Sequence, residues 1–264
     1  MSNIKNIVKV MNFHSLVRVE KAKREAAKYF GVEEELCRIL YQITNNRNLN
    51  LDKKILLENS NGIVLNVFVG NDLGFCGDFN YQLQKAIKED KDSYKIIIGK
   101  KIFGKNEDEK VLLQIEKDSF LEESYKIDDL ISSYIYEKKV KEINVYYNHY
   151  YNVNDIKFES KRLFPLEIGT YDNVDLNVDF TIETDINDFL SSVLSLAICF
   201  QIKIFESNSF ASENVMREKI TSESIDKINK MEFAKYIQEL KEKNEENFKR
   251  QINNYKNTMR WWYG

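Results

Sequence analysis

The sequence predicts a mixed α/β protein in which a compact middle sits between two long helices that close on each other as an antiparallel coiled coil. Three observations predict it. Residues 185–262 contain neither glycine nor proline, the two residues that break helices through backbone entropy and a missing N–H. Residues 2–30 are free of both as well. Every glycine except Gly264 lies between Gly31 and Gly169, and the only proline is Pro165.

The C-terminal segment carries apolar side chains at helical intervals: Phe189, Val193, Leu196 and Phe200, then Ile225, Ile228 and Met231, then Phe248, Ile252, Tyr255 and Met259. The last group has the spacing of a coiled-coil seam. At 1.5 Å per residue such a helix would be about 110 Å long, too long for a domain of this size to bury. It must project and find a partner. The expected partner is the N-terminal helix, through Ile4, Ile7, Met11 and His14, with Val10, Phe13 and Val17 widening the stripe. A helical hairpin used only for dimerisation has the same periodicity.

In chain order, Gly31 is expected to end the first helix, with Val32–Arg47 able to resume it. Asn61-Gly62 reads as a turn and Ile63–Val69 as a strand buried on both faces. A glycine-containing loop, Asn71–Asn80, leads into a helix ending near Glu89. Tyr94–Gly99 and Val111–Ile115 read as strands, Ile127–Lys139 as an amphipathic helix and Glu142–Tyr147 as another strand. Leu163-Phe164-Pro165 marks a turn, and Val178–Ile182 is a last expected strand. Alternation of strand and helix predicts mainly parallel pairing. The expected division is a helical unit of residues 1–50 and 186–264 around an α/β unit of residues 51–185.

Composition excludes several classes. The net charge of −3 is built from interspersed acids and bases, which argues against nucleic acid as a partner. Cys37, Cys76 and Cys199 are widely spaced with no CxxC, which fits a reducing compartment and no thiolate metal site. The N-terminus is charged and lacks an apolar core, so no signal peptide is expected. Phe189–Phe205 carries Gln201 and Lys203 and reads as a buried helix rather than a membrane span. A soluble, cytoplasmic protein is expected.

Catalytic material is sparse. His14 and His149 fall in unrelated elements, which suits neither a catalytic triad nor a histidine metal centre. The loop around Gly74 has the place of a phosphate loop. It lacks the Gly-Lys-Ser/Thr ending and is not GxGxxG, so the tight-turn reading stands above nucleotide binding.

The stretch Asp72-x-Gly74-x-Cys76-Gly77-x-Phe79-Asn80, directly after a strand, resembles the signature of the gamma subunit of F-type ATPases. Further stretches match in the family's order. They are Ile7-x-Lys9-x-Met11; Tyr147-Asn148 followed by Leu163-Phe164-Pro165; Glu206 with Ala211-Ser212-Glu213 and Arg217; and Arg250-Gln251. The resemblance spans nearly the whole chain and implies a coiled-coil shaft with an inserted Rossmann-like α/β foot.

It further implies a non-catalytic rotor shaft inside a ring of three alpha and three beta subunits. ATP, ADP and Mg are bound by the partners, and this chain binds no cofactor. Arg250, Gln251, Lys9, Met11, Ser212, Glu213 and Arg217 are implied as contacts from shaft to ring. Asp72, Gly74, Cys76, Gly77, Phe79 and Asn80 are implied as the structural motif of the foot. A small epsilon-like stalk subunit or another adaptor is expected at the foot, with a membrane rotor ring beyond it, placing the complex at the inner face of the cell membrane.

Several positions depart from the pattern. Leu73 stands where the signature has a basic residue and Asp78 where it has glycine, and Glu218-Lys219-Ile220 replaces a methionine-rich run. The chain is expected to begin about a dozen residues late on the family's pattern, leaving the outer end of the long helix unaccompanied. The ending Trp261-Trp262-Tyr263-Gly264 is bulkier than usual. Two subtypes follow, a proton-coupled ATP synthase or a related motor serving another task such as surface motility. The apparent truncation and Leu73 favour the second. The competing classes are a static coiled-coil adaptor and a nucleotide-binding α/β enzyme.

Overall fold

The two glycine-free ends form the two longest helices in a computed structural model that describes residues 2–46, 49, 51–102, 110–171 and 183–262. Helix α1 spans Ser2–Asn45 and helix α5 spans Ile186–Trp262 without interruption. They run antiparallel. Lys5 pairs with Glu232 at 2.6 Å, Asn12 donates to the Thr221 hydroxyl at 3.0 Å, and Gln201 donates to Glu33 at 2.8 Å.

Gly31 does not end α1. It is exposed with open space where a side chain would be, so it costs only propensity there. The residues after it, Cys37, Leu40 and Ile43, are buried in the core of the sheet. That burial offsets the local weakness of one glycine and carries the helix on to Asn45.

The face of α1 that meets α5 is also not the expected one. Ile4, Ile7, Val10, Phe13 and Val17 are all at least half exposed. The buried positions are Ser15, Val19 and Ala22, with Asn12 beside them. Small side chains let two helix backbones approach closely, and α5 too buries small residues in this stretch, Ser207, Ala211 and Ser212. Close packing of small residues, rather than the most apolar stripe, sets this seam. On α5, Ile225 and Ile228 are partly buried, whereas Met231 points outward.

Between the helices lies one five-stranded sheet: β1 (Ile63–Val69), β2 (Tyr94–Ile98), β3 (Val111–Ile115), β4 (Val140–Asn152) and β5 (Asp155–Phe164). Its order is β3-β2-β1-β4-β5. The first four strands are parallel and β5 is antiparallel to β4. Strand β5 is the longest element the sequence did not predict. Its charged, mostly uncovered residues belong to an edge strand, whose pattern resembles a loop. Helices α2 (Tyr81–Glu89), α3 (Phe120–Glu123) and α4 (Tyr125–Tyr136) complete the α/β layer. The strand expected at Val178–Ile182 lies outside the described residues.

The sheet is covered on both faces. On one, Leu83 and Ile87 of α2 pack on Phe68, Ile97 and Ile102. On the other, α4, the end of α1 and the start of α5 bury Leu65, Val67, Ile96, Ile98 and Val145. The apolar start of α5 could cross a membrane by length and composition, but more than half of that window is buried here, as in a core helix of a soluble protein. Both long helices therefore contribute to the core of the α/β body before running on as a pair.

Candidate functional site

Helix α5 leaves the core across the carboxyl ends of the parallel strands, where open α/β sheets ordinarily hold ligands. Here that position is filled by α5 itself. From Ser207 to Thr221 every α5 residue except Lys219 is at least partly buried, enclosed by α1 on one side and the Gly70–Asn80 loop on the other.

The loop is locked from within. Asp72, almost fully buried, accepts backbone N–H bonds from Lys100 at 2.6 Å, Lys117 at 2.7 Å and Asp118 at 3.2 Å. One carboxylate thus joins the turns after β1, β2 and β3. Asn80 donates to the Asn71 side-chain oxygen at 2.6 Å, and Asn71 donates to the buried Cys76 sulfur. Asn148 of β4 donates to the Phe79 carbonyl at 2.9 Å. Gly77 has φ of 60°, and an added side chain would press on Ile220 of α5. Phe75 also has positive φ, 61°, and is 60% exposed. The turn presents this ring outward at some conformational cost.

Helix α5 is bonded to this loop through a buried cluster of charges. Arg217 donates through Nε to the Gly74 carbonyl at 3.1 Å, through Nη1 to Asn214 at 2.8 Å and through Nη2 to Glu213. Lys117 donates to the Gly70 carbonyl at 3.1 Å, lies 3.4 Å from Glu213 and 3.8 Å from Glu206, and sits over the Phe210 ring. Ser209 donates to the Val69 carbonyl at 3.3 Å, and Ser212 to that of Asn148 at 2.9 Å. Burial pushes the Glu206 carboxyl up to about 7, against the pull of Lys117.

The motif residues Asp72, Gly74, Cys76, Gly77, Phe79 and Asn80 are thus brought together as one structural unit. Ser212, Glu213 and Arg217, expected to contact a ring, are enclosed within the chain, where Ser212 donates to the Asn148 carbonyl, Glu213 faces Lys117 and Arg217 donates to the Gly74 carbonyl. Each is at most 3% exposed, which leaves little surface to offer a partner. Lys9 is exposed on α1, and Met11 lines a cleft with Leu73, Gly74, Phe75 and Arg217. Arg250 and Gln251 lie far along α5, both exposed, with Arg250 3.9 Å from Glu246.

Sequence reasoning missed Lys117 and Asn71. Lys117 follows β3 outside any motif; its place at the carboxyl end of a parallel strand was the one signal available.

A single α5 crossing the strand ends and running out beside α1 is an arrangement of known proteins. Residues 1–241 match the family model described as ATP synthase, the F1 gamma family. The chain belongs to that gamma family. Its members are non-catalytic components of the central stalk, and this chain is a gamma-like central-stalk subunit.

The central stalk and c-ring structure of the Tetrahymena thermophila mitochondrial ATP synthase contains a chain 14% identical to this one, with a TM-score of 0.52. The match covers 83% of this chain and 99% of that one. A chain of the Euglena gracilis mitochondrial ATP synthase, in its OSCP/F1/c-ring assembly, is 14% identical over 94% of this chain and 93% of its own, with a TM-score of 0.48. At such identity the Tetrahymena likeness speaks for the fold alone. The comparison with curated proteins finds no match.

Proposed function

We propose that this gamma-family chain is the turning shaft of an F1-like rotary ATPase. A ring of three alpha-type and three beta-type subunits would surround α1 and the outer part of α5 and carry out ATP turnover. The observation behind this reading is the uncovered apolar surface of the shaft. Ile4, Ile7, Val10 and Phe13 on α1, and Phe233, Tyr236, Phe248 and Tyr255 on α5, are each more than half exposed. Such a surface along a soluble rod calls for an enclosing protein. Membership of the gamma family supports alpha- and beta-type subunits as that protein.

Rotation and nucleotide state bias one another only where contacts differ between states. Arg250 and Gln251 are suited to this, since α5 holds them out with no other part of the chain covering them. An exposed ion pair contributes about 1 kcal/mol or less, and one desolvated in only some states can differ by several. Arg250→Ala with Gln251→Ala should leave assembly intact and slow ATP turnover of the reconstituted complex. Turnover and rotation equal to wild type would remove these residues from the torque contact.

The foot would carry a small epsilon-like subunit or another adaptor and, in a proton-coupled machine, a membrane ring. Leu73 and Phe75 make apolar a loop surface whose signature carries a basic residue at position 73. That change favours a motor adapted to another load, such as surface motility, over a standard synthase. A static adaptor is the competing reading, and single-molecule rotation of the assembled complex separates the two.

A further inference from the structure

Three elements meet around Glu206. From α5 itself come Glu213 and, one turn on, Arg217; from the turn after β3 comes Lys117; from α1 come Glu25 and Tyr29. The pairing is unequal. Glu213 is held by Arg217 through one oxygen, and its other oxygen has no hydrogen bond, lying 3.4 Å from Lys117. Glu206 reaches Lys117 only at 3.8 Å. Two buried carboxylates therefore share one ammonium that is already donating to the Gly70 carbonyl. Glu25 adds a third negative charge facing the site.

We propose that this cluster is a proton-responsive joint between shaft and foot, tight when Glu206 is neutral and loosened when it ionises. With Glu206 protonated, Lys117 serves Glu213 alone and the buried charges are two cations and one anion beside Glu25. With Glu206 ionised, a poorly paired carboxylate is left in a site nearly closed to water, and the elements enclosing it separate more readily.

The sign follows from the direction of the shift. Burial raises the folded-state value from the ordinary 4.5 to about 7. The stabilising contribution is therefore complete below pH 4.5 and is lost as pH rises through 7. Opening of the joint between pH 6 and 8 should increase about tenfold on this account. His149, on β4 beside Tyr147 and Glu159, is the other nearby group whose ordinary range is close to this window; burial lowers it.

Hydrogen exchange of the full chain at pH 6 and pH 8, corrected for intrinsic chemistry, tests this. Amides of residues 206–217 and 117–119 should lose about tenfold in protection at the higher pH. Glu206→Gln should abolish the loss, and His149→Asn should leave it in place. A pH-independent wild type, or a loss that persists in Glu206→Gln or vanishes in His149→Asn, would overturn the proposal. Should Glu206→Gln fail to fold, carbon-13 NMR of the wild-type Glu206 carboxyl decides. A titration midpoint near 7 supports the joint, and one near 4.5 refutes it.

Discussion

Asp72 shows how much a single side chain can organise. It receives N–H bonds from two turns that follow different strands, so its loss would leave buried donors unpaired in both. Asp72→Ala should destabilise the chain by about 2–4 kcal/mol in urea unfolding, from the value of charge-assisted bonds to buried backbone. Cys76 belongs to the same loop and is a buried thiol whose pKa is raised by burial and by the Glu213 charge. Its reaction with a thiol reagent in the native protein should be many-fold slower than in the unfolded chain; equal rates would contradict its place in the core. The sequence made the loop's members legible because they are contiguous. Lys117 was not, because its role depends on where β3 ends in space, which no local pattern encodes.

At the scale of elements, strands β1 and β2 and the long helix were readable because each is a continuous apolar or glycine-free run with one period. The pairing face of α1 was not. Its outward stripe is more apolar than its inward one, so hydrophobicity pointed to the wrong side. The consequence is testable by opposite substitutions. Ala22→Leu inserts bulk where Ala22 is 1% exposed and should cost about 1–3 kcal/mol. Ile7→Ser, on a side chain 60% exposed, should leave the melting temperature of the free chain within the small range of surface changes. If Ile7→Ser were the more damaging, the two helices would pair through the other face. Strand β5 was missed for a related reason: an edge strand can carry charge on either face, and its alternation fades.

For the whole molecule, the division of labour is between an enclosed joint and an uncovered rod. The paired region ends where Lys5 meets Glu232, and every described side chain beyond that point is exposed. Hydrogen exchange of the free chain should show α5 amides after residue 232 protected little, and the core of the sheet protected most. Protection beyond residue 232 equal to that of the core would mean that the outer helix is covered in the free chain.

The continuity of α5 has a mechanical consequence. One unbroken run of 77 residues belongs first to the sheet's core, then to the two-helix bundle, then to itself alone. Torsional stiffness falls along the same path, because a lone helix twists more easily than one braced by neighbours. A load applied at the tip would therefore wind the outer third before the root moved. The chain would act as a tapered spring, storing elastic twist at its thin end and releasing it into a rigid base.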